Sequence, residues 1–212
     1  MTDLFNVRRG LGSGFGSNSA QPAELTSMAK LVVVDFLTAA ILDGRGYQVR
    51  IGTITTPLTG DIDITDTDAE ACADAGATTV IMPIYLNADV ESLNGGTLPT
   101  IYAKSVTVVS NAGTAFTPLP LKSNGPAAVS TARVDAAGVV QVPAELATNT
   151  VRHFGKTVAT AALEPLADHE FRPPPVLVGA RCFYVQVAGI TAGPLYFASF
   201  DYLEYQAAMI DP

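Results

Sequence analysis

Residues 194–205 place large apolar side chains on both faces of one extended strand. Side chains alternate between the two faces of a strand, and one face therefore carries three aromatic residues, Tyr196, Phe200 and Tyr202. The opposite face carries Phe197 and Leu203. A strand with one face in water would be polar on that face. We therefore expect one face in a hydrophobic core and the other against a neighbouring element or a second subunit.

Further strand patterns follow one another along the chain between Gly, Pro and Asn residues. Apolar and polar side chains alternate over residues 47–55, as they do in a half-buried strand. The other predicted strands are residues 61–65, 78–86, 97–110, 127–134, 139–142, 176–187 and 194–205. This succession of short strands and turns predicts a mainly β chain, an antiparallel β-sandwich or barrel with at most one or two short helices.

Two segments carry both helix and strand signals. Residues 23–42 have apolar side chains at helical spacing, but the β-branched run from Leu31 to Val34 is typical of a strand. We expect a short helical turn over residues 23–29 and then a strand, which a turn at residues 43–46 joins to the next strand as a hairpin. The other helix candidate is residues 156–166.

Residues 1–22 form a separate segment before a single β-domain of residues 23–212. Glycines alternate with other residues between Gly10 and Gly16, which disfavours the interior of a helix or strand. We expect a flexible arm that orders against a neighbouring chain. A nucleotide-binding glycine loop would need Gly where Phe15 stands. The interface residues predicted in the arm are Arg8, Arg9 and Phe15.

Charge is scarce in this chain. Charged residues make up 15% of it and hydrophobic residues 48%, with a net charge of −8, whereas an average domain is about 25% charged. Intrinsic disorder is excluded by the hydrophobicity. The acidic balance excludes a basic nucleic-acid-binding domain and leaves at most a weak nucleic-acid contact through the arm. The longest apolar run is too short for a transmembrane segment, so we expect the apolar surplus in the fold and at subunit interfaces.

The densest acidic stretch begins at Asp61. An edge strand there would place Asp61 and Asp63 on one face, and carboxylate oxygens suit a hard cation such as Ca²⁺. The stretch lacks the Gly and Glu positions of an EF-hand loop, so we predict no metal ion and no cofactor. If a cation does bind, the candidate ligands are Asp61, Asp63, Asp66 and Asp68.

Motifs for catalysis are missing. The two histidines, His153 and His169, belong to no zinc-binding His pair, and no G-x-S-x-G nucleophile elbow occurs. We therefore predict no catalytic residue and no enzymatic activity. Cys72 and Cys182 match no zinc or thioredoxin spacing. The sequence allows two possibilities for them: two buried free thiols, or one disulfide.

The pattern as a whole resembles the single jelly-roll capsid proteins of viruses and phages. The resemblance rests on the Gly/Ser-rich arm of residues 8–19, the strand at residues 47–56 and the aromatic final strand at residues 194–205. It implies a jelly-roll β-sandwich and a virion structural protein, either a capsid shell, a minor capsid or a decoration subunit. Such a subunit would form a trimer or pentamer within a larger shell, beside other virion proteins. It would reach the virion from the host cytoplasm, without a signal peptide.

Two other classes of function stay open. One is a β-sandwich carbohydrate-binding or adhesin module, although the chain has no Trp to form an aromatic sugar platform. The other is a cupin-like or hydrolytic enzyme. A stable monomer would favour the first class, and a stoichiometric transition metal that gives His153 and His169 a role would favour the second.

Overall fold

The computed structural model describes residues 35–63, 69–95, 97–107, 109–139, 150–158 and 165–209. Within these ranges lie one α-helix, thirteen β-strands and a final 3-10 turn. In chain order they are α1 Phe36–Leu42, β1 Gly46–Ile51, β2 Leu58–Thr59, β3 Ala71–Ala75, β4 Thr79–Ser92, β5 Thr97–Val106, β6 Thr114–Phe116, β7 Leu119–Pro120, β8 Thr131–Val134, β9 Val151–Thr157, β10 Ala167–Glu170, β11 Leu177–Val178, β12 Arg181–Ile190, β13 Leu195–Gln206 and the turn Ala207–Met209. No helix among them has the length and hydropathy of a membrane span.

The strands form two antiparallel sheets. The seven-stranded sheet has the order β10-β4-β13-β1-β7, with β11 paired to β4 and β2 paired to β13. The six-stranded sheet has the order β6-β8-β3-β12-β5-β9. The predicted antiparallel β-sandwich is therefore confirmed.

The strand pairs are nested from the two ends of the described chain inward. The first strand pairs with the last, β1 with β13, and β3 pairs with β12, β4 with β10 and β5 with β9. Such nesting means that a long antiparallel hairpin is rolled up, which is the winding of a jelly roll. The pairs β4·β13 and β5·β12 then complete the two sheets. The small strands β6, β7 and β8 lie in the connection between β5 and β9.

Aromatic side chains fill the space between the sheets. Phe183 of β12 contacts Phe200 of β13 edge to face, with ring centroids 5.3 Å apart, and Phe171 meets Phe183 at 5.7 Å. Tyr196, Phe200 and Tyr202 all belong to this core and have no exposed surface. The prediction of a subunit interface at these three residues is corrected, because the sheets of their own chain already cover them.

The opposite face of β13 is covered by α1. Leu203 and Tyr205 pack with Ala40 of the helix, as was expected for a strand apolar on both faces. Asp35 caps the helix by accepting the backbone N–H of Thr38 at 2.9 Å. For residues 36–42 the strand prediction is wrong, because the cap and the helical spacing of the apolar residues prevail over the β-branched run that precedes them. The turn at residues 43–46 therefore joins a helix to β1, and no hairpin forms.

Several predicted strand boundaries shift. The first strand ends at Ile51, because Gly52 has a φ of +64° and lies against the backbone of Leu58 and Tyr196. A bend at Gly179, where φ is +75°, separates β11 from β12. At residues 61–63 there is a single bridge and a bend instead of the predicted strand. Six strands were not predicted: β2, β3, β6, β7, β9 and β10. Most of the predicted strand at residues 139–142 falls outside the described residues, and Val139 lies in a bend. Most of the helix candidate at residues 156–166 also falls outside them, but Lys156 and Thr157 belong to β9.

Candidate functional site

The loops at one end of the sandwich expose four large apolar side chains. Ile190, at the end of β12, pairs with Thr97, which precedes Leu98 in β5. Asp61, which precedes Ile62, bridges to Ala188 of β12. We call this surface the apolar end and define it by Ile54, Ile62, Leu98 and Ile190.

Backbone hydrogen bonds hold the loops of the apolar end together. Gly60 N–H donates to Pro194 O at 2.9 Å, and Gly189 N–H donates to Asp61 O at 2.9 Å. The backbone N–H of Thr53 donates to Thr56 O, and the backbone N–H of Thr56 donates to Thr53 O, which closes a turn. Ile54 lies in this turn with 70% of its surface exposed. Contiguous exposed apolar patches mark contacts with other molecules, so the exposed side chains on these neighbouring segments are the candidates for such a contact.

A buried carboxyl group lies beneath this end. The Glu70 side chain is 1% exposed, and its Oε2 accepts the backbone N–H of Val187 at 2.9 Å, whereas its Oε1 has no hydrogen-bond partner. Burial and then the neighbouring charge of Asp61 raise the pKa of Glu70 well above its ordinary value. The fully buried Tyr196 hydroxyl also has no hydrogen-bond partner. Burial first, and then the charges of Glu70 and Asp61, raise its pKa.

The acidic residues predicted as cation ligands are only partly described. The backbone N–H of Asp61 donates to Val187 O at 2.8 Å, and its side chain lies beside that of Glu70. Asp63 is exposed and belongs to no strand, so the two carboxylates do not share the strand face that was predicted for them. The other predicted site residues, Asp66, Asp68, Arg8, Arg9 and Phe15, lie outside the described residues.

A basic groove runs along the edge strand β9. It has a volume of about 470 Å³ and is lined by Tyr102, Arg152, His153, Phe154, Gly155, Lys156 and Thr157. The Tyr102 ring lies directly on the backbone of Gly155, where a Cβ atom would come within 2.5 Å of Tyr102 Cε1. Lys104 Nζ and the Arg152 guanidinium carbon lie 5.0 and 5.5 Å from the same ring centroid. One face of this half-buried ring is therefore covered by its own chain, and two cationic side chains compete for the rest.

His153 pairs with a serine beside this groove. Its Nε2 lies 2.7 Å from the Ser105 hydroxyl, and burial lowers the pKa of the ring. A serine nucleophile needs a histidine that a third group, usually a carboxylate, holds in the right orientation. No described carboxylate forms a hydrogen bond with His153. Ser105 is also buried. The pair therefore satisfies two polar groups at the core boundary, with no nucleophile presented to solvent.

His169 is similarly engaged in packing. Its ring stacks on Phe154 at 4.3 Å and meets Phe171 edge-on at 4.8 Å. Within the described part of the chain, the group of side chains that could jointly hold a metal ion contains neither histidine. The two histidines thus lack the clustered arrangement that a cupin-like metal centre would need.

Comparisons with protein-family models, with curated proteins and with solved structures give no match. No relative therefore assigns a role to any residue above. Two properties of the chain itself bear on its function: the jelly-roll winding and the exposed apolar end.

Proposed function

We propose that this chain is a structural subunit of a virion, a capsid shell, minor capsid or decoration protein, that assembles with copies of itself. The observation that carries the proposal is the nesting of strand pairs from β1·β13 inward to β5·β9, because this winding occurs in viral capsid domains. Lectin and cupin domains share the jelly roll. The Tyr102 ring has one face on the Gly155 backbone, and neither histidine belongs to the group of described side chains that could hold a metal ion. Both observations favour the structural role over a lectin or a cupin-like enzyme.

The apolar end is the proposed contact between copies. Burying an exposed apolar side chain stabilises a complex by about 25 cal/mol per Å² of apolar surface, and Ile54 and Ile190 have 70% and 53% of their surfaces to bury. The turn that displays Ile54 is flanked by uncharged threonines, Thr53, Thr55 and Thr56. Two copies of a chain with a net charge of −8 repel each other, so within the apolar end the turn around Ile54 favours a contact between copies more than Ile62, which lies between Asp61 and the exposed Asp63.

A second copy is the occupant that fits this surface. Closed oligomers use one surface repeatedly around a rotation axis, and the loops at one end of a sandwich can all approach such an axis. This arrangement agrees with a trimer or pentamer. The arm, with Arg8, Arg9 and Phe15, would add contacts to a neighbouring subunit, and its deletion would leave the domain folded but impair assembly.

Native mass spectrometry and negative-stain electron microscopy of the purified full chain test the proposal. We expect closed oligomers of three or five subunits and larger shells or patches of shell. A chain that stays monomeric at micromolar concentration and binds glycans on an array would refute the structural role in favour of the carbohydrate-binding alternative.

A further inference from the structure

Two cysteines and an aspartate meet on the outer face of the six-stranded sheet. Cys72 and Asp74 lie two residues apart in β3, so they share a face, and Cys182 of β12 pairs directly with Asp74. One ligand atom from each residue lies within 4.8 Å of the other two. All three side chains are buried, and the two cysteines have no exposed surface.

The strand register disfavours a disulfide between the two thiols. Cys182 lies opposite Asp74, while Cys72 lies opposite Tyr184, so the cysteines are diagonal neighbours. Diagonal neighbours on adjacent strands are about 7–8 Å apart, beyond the Cα separation of about 4.4–6.8 Å that a disulfide spans. Both cysteines are accordingly free thiols in the structure.

The same geometry suits two thiolates that share one metal ion. Zinc–sulfur bonds are about 2.3 Å long, and tetrahedral coordination then separates two sulfur ligands by about 3.8 Å. The ligand atoms of the three residues lie within 4.8 Å of one another, so a displacement of about 1 Å brings them to that separation. We propose that Cys72, Asp74 and Cys182 form a binding site for a thiophilic divalent cation such as Zn²⁺.

The surroundings orient the carboxylate. Asp74 Oδ1 accepts the backbone N–H of Ser110 at 2.9 Å, and its Oδ2 accepts the Ser110 hydroxyl. Thr131 donates its hydroxyl to the same Oδ2 at 3.4 Å. Hydrogen bonds of this kind fix the direction of a metal ligand. Tetrahedral coordination needs a fourth ligand besides the three named residues. The Ser110 and Thr131 hydroxyl oxygens, which already contact Asp74, are the side-chain oxygens available for it.

Charge balance is also met. Binding exchanges two thiol protons for the cation, and the protons leave to solvent. Two thiolates, one carboxylate and a divalent ion carry a net charge of −1. Arg133 of β8 lies directly opposite Cys72 in the sheet, and its guanidinium is held by Gly113 O at 3.1 Å. Residues directly opposite each other share a face of the sheet, so Arg133 is the cationic side chain on the strand next to Cys72 that is available to offset the excess negative charge.

The test uses the purified full chain, stripped with a chelator and then given Zn²⁺ or Co²⁺ alone. We expect one metal per chain by elemental analysis after gel filtration. With Co²⁺, we expect a thiolate-to-cobalt charge-transfer band. Zn²⁺ at about 100 times its dissociation constant should raise Tm by about 5–10 °C. Because the chain contains just two cysteines, every thiolate signal reports on this site.

Variants locate the ligands. Cys72→Ser, Cys182→Ser and Asp74→Asn should each lose the bound metal, whereas the exposed-carboxylate control Asp168→Asn should keep it. If a variant fails to fold by circular dichroism, the Co²⁺ spectrum of the wild-type chain decides alone. Absence of a thiolate-to-cobalt band in the folded wild-type chain would overturn the proposal. So would retention of one metal per chain by folded Asp74→Asn and Cys72→Ser.

Discussion

Tyr47 of β1 lies directly opposite Tyr202 of β13, and their ring centroids are 5.8 Å apart. The contact joins the first and last strands of the jelly roll, which are separated by most of the described sequence. The Tyr202 hydroxyl also lies 2.7 Å from the hydroxyl of Ser130, in the connection between β5 and β9. One side chain therefore links the closing strand pair to the longest connection of the fold.

Replacing Tyr202 with Phe should destabilise the domain without changing its fold. The substitution keeps the ring contacts but leaves the buried Ser130 hydroxyl without this partner, at a cost of about 1–2 kcal/mol. Urea denaturation followed by circular dichroism measures the difference. The control is Tyr85→Phe, which removes a hydroxyl bonded to the exposed Asp168 at 2.6 Å and should change the stability by less than about 0.5 kcal/mol. Equal losses in the two variants would contradict the role of Tyr202.

Replacing Glu70 with Gln should change how stability depends on pH. A carboxyl group with a raised folded-state pKa takes up a proton on folding once the pH exceeds its unfolded pKa, about 4.3. Its stabilising contribution is complete below that pH and is lost as the pH rises through the folded-state pKa. We therefore expect wild type and Glu70→Gln to have similar Tm values near pH 4 and the variant to melt higher at pH 7.

Thermal melts across this pH range check the expectation. The exposed Glu91→Gln control should follow the wild type at every pH. If Glu70→Gln melts lower than the wild type at pH 7, then the ionised carboxylate stabilises the folded chain, and a raised folded-state pKa is the wrong description of Glu70.

Gly60 should tolerate no side chain. A Cβ atom there would lie 2.4 Å from the carbonyl oxygen of Val187, which is fixed in the sheet. Gly60→Ala should therefore cost about 2–3 kcal/mol. Gly76→Ala is the matched control, because its Cβ would meet only Thr79 Oγ1 at an ordinary 3.5 Å. Urea midpoints of the two variants give the comparison, and a Gly60→Ala midpoint equal to that of Gly76→Ala would mean that the loop can move away from β12.

Alternating large side chains made much of the sandwich predictable. The patterns of β1, β12 and β13 identify strands because each has apolar residues with period two and a clear turn beside it. By contrast, β3 consists of small residues around Cys72 and Asp74, and β9 contains Arg152, His153 and Lys156. Both strands pair through their backbones, and their side chains carry little of the usual strand signal.

Sites made by pairing distant strands were beyond the reach of sequence patterns. Cys72 and Cys182 are far apart in the chain, and only the register between β3 and β12 brings them together. Glu70 resembles any other acidic residue in its stretch until the fold buries it against Val187. The composition predicts apolar contacts between subunits, but the residues selected for one on the last strand, Tyr196, Phe200 and Tyr202, are core residues. Strand alternation alone does not say which face meets the chain's own second sheet.

Sedimentation velocity of Ile190→Asp beside Val176→Asp tests the proposed assembly most directly. The two side chains are equally exposed, at 53% and 52%, but Ile190 belongs to the apolar end, whereas Val176 lies on the connection that leads to β11. Introducing a charge into a contact between copies costs the desolvation of that charge. We predict that wild type and Val176→Asp sediment as the same oligomer and that folded Ile190→Asp sediments as a monomer. An Ile190→Asp chain that assembles like the wild type would contradict the account.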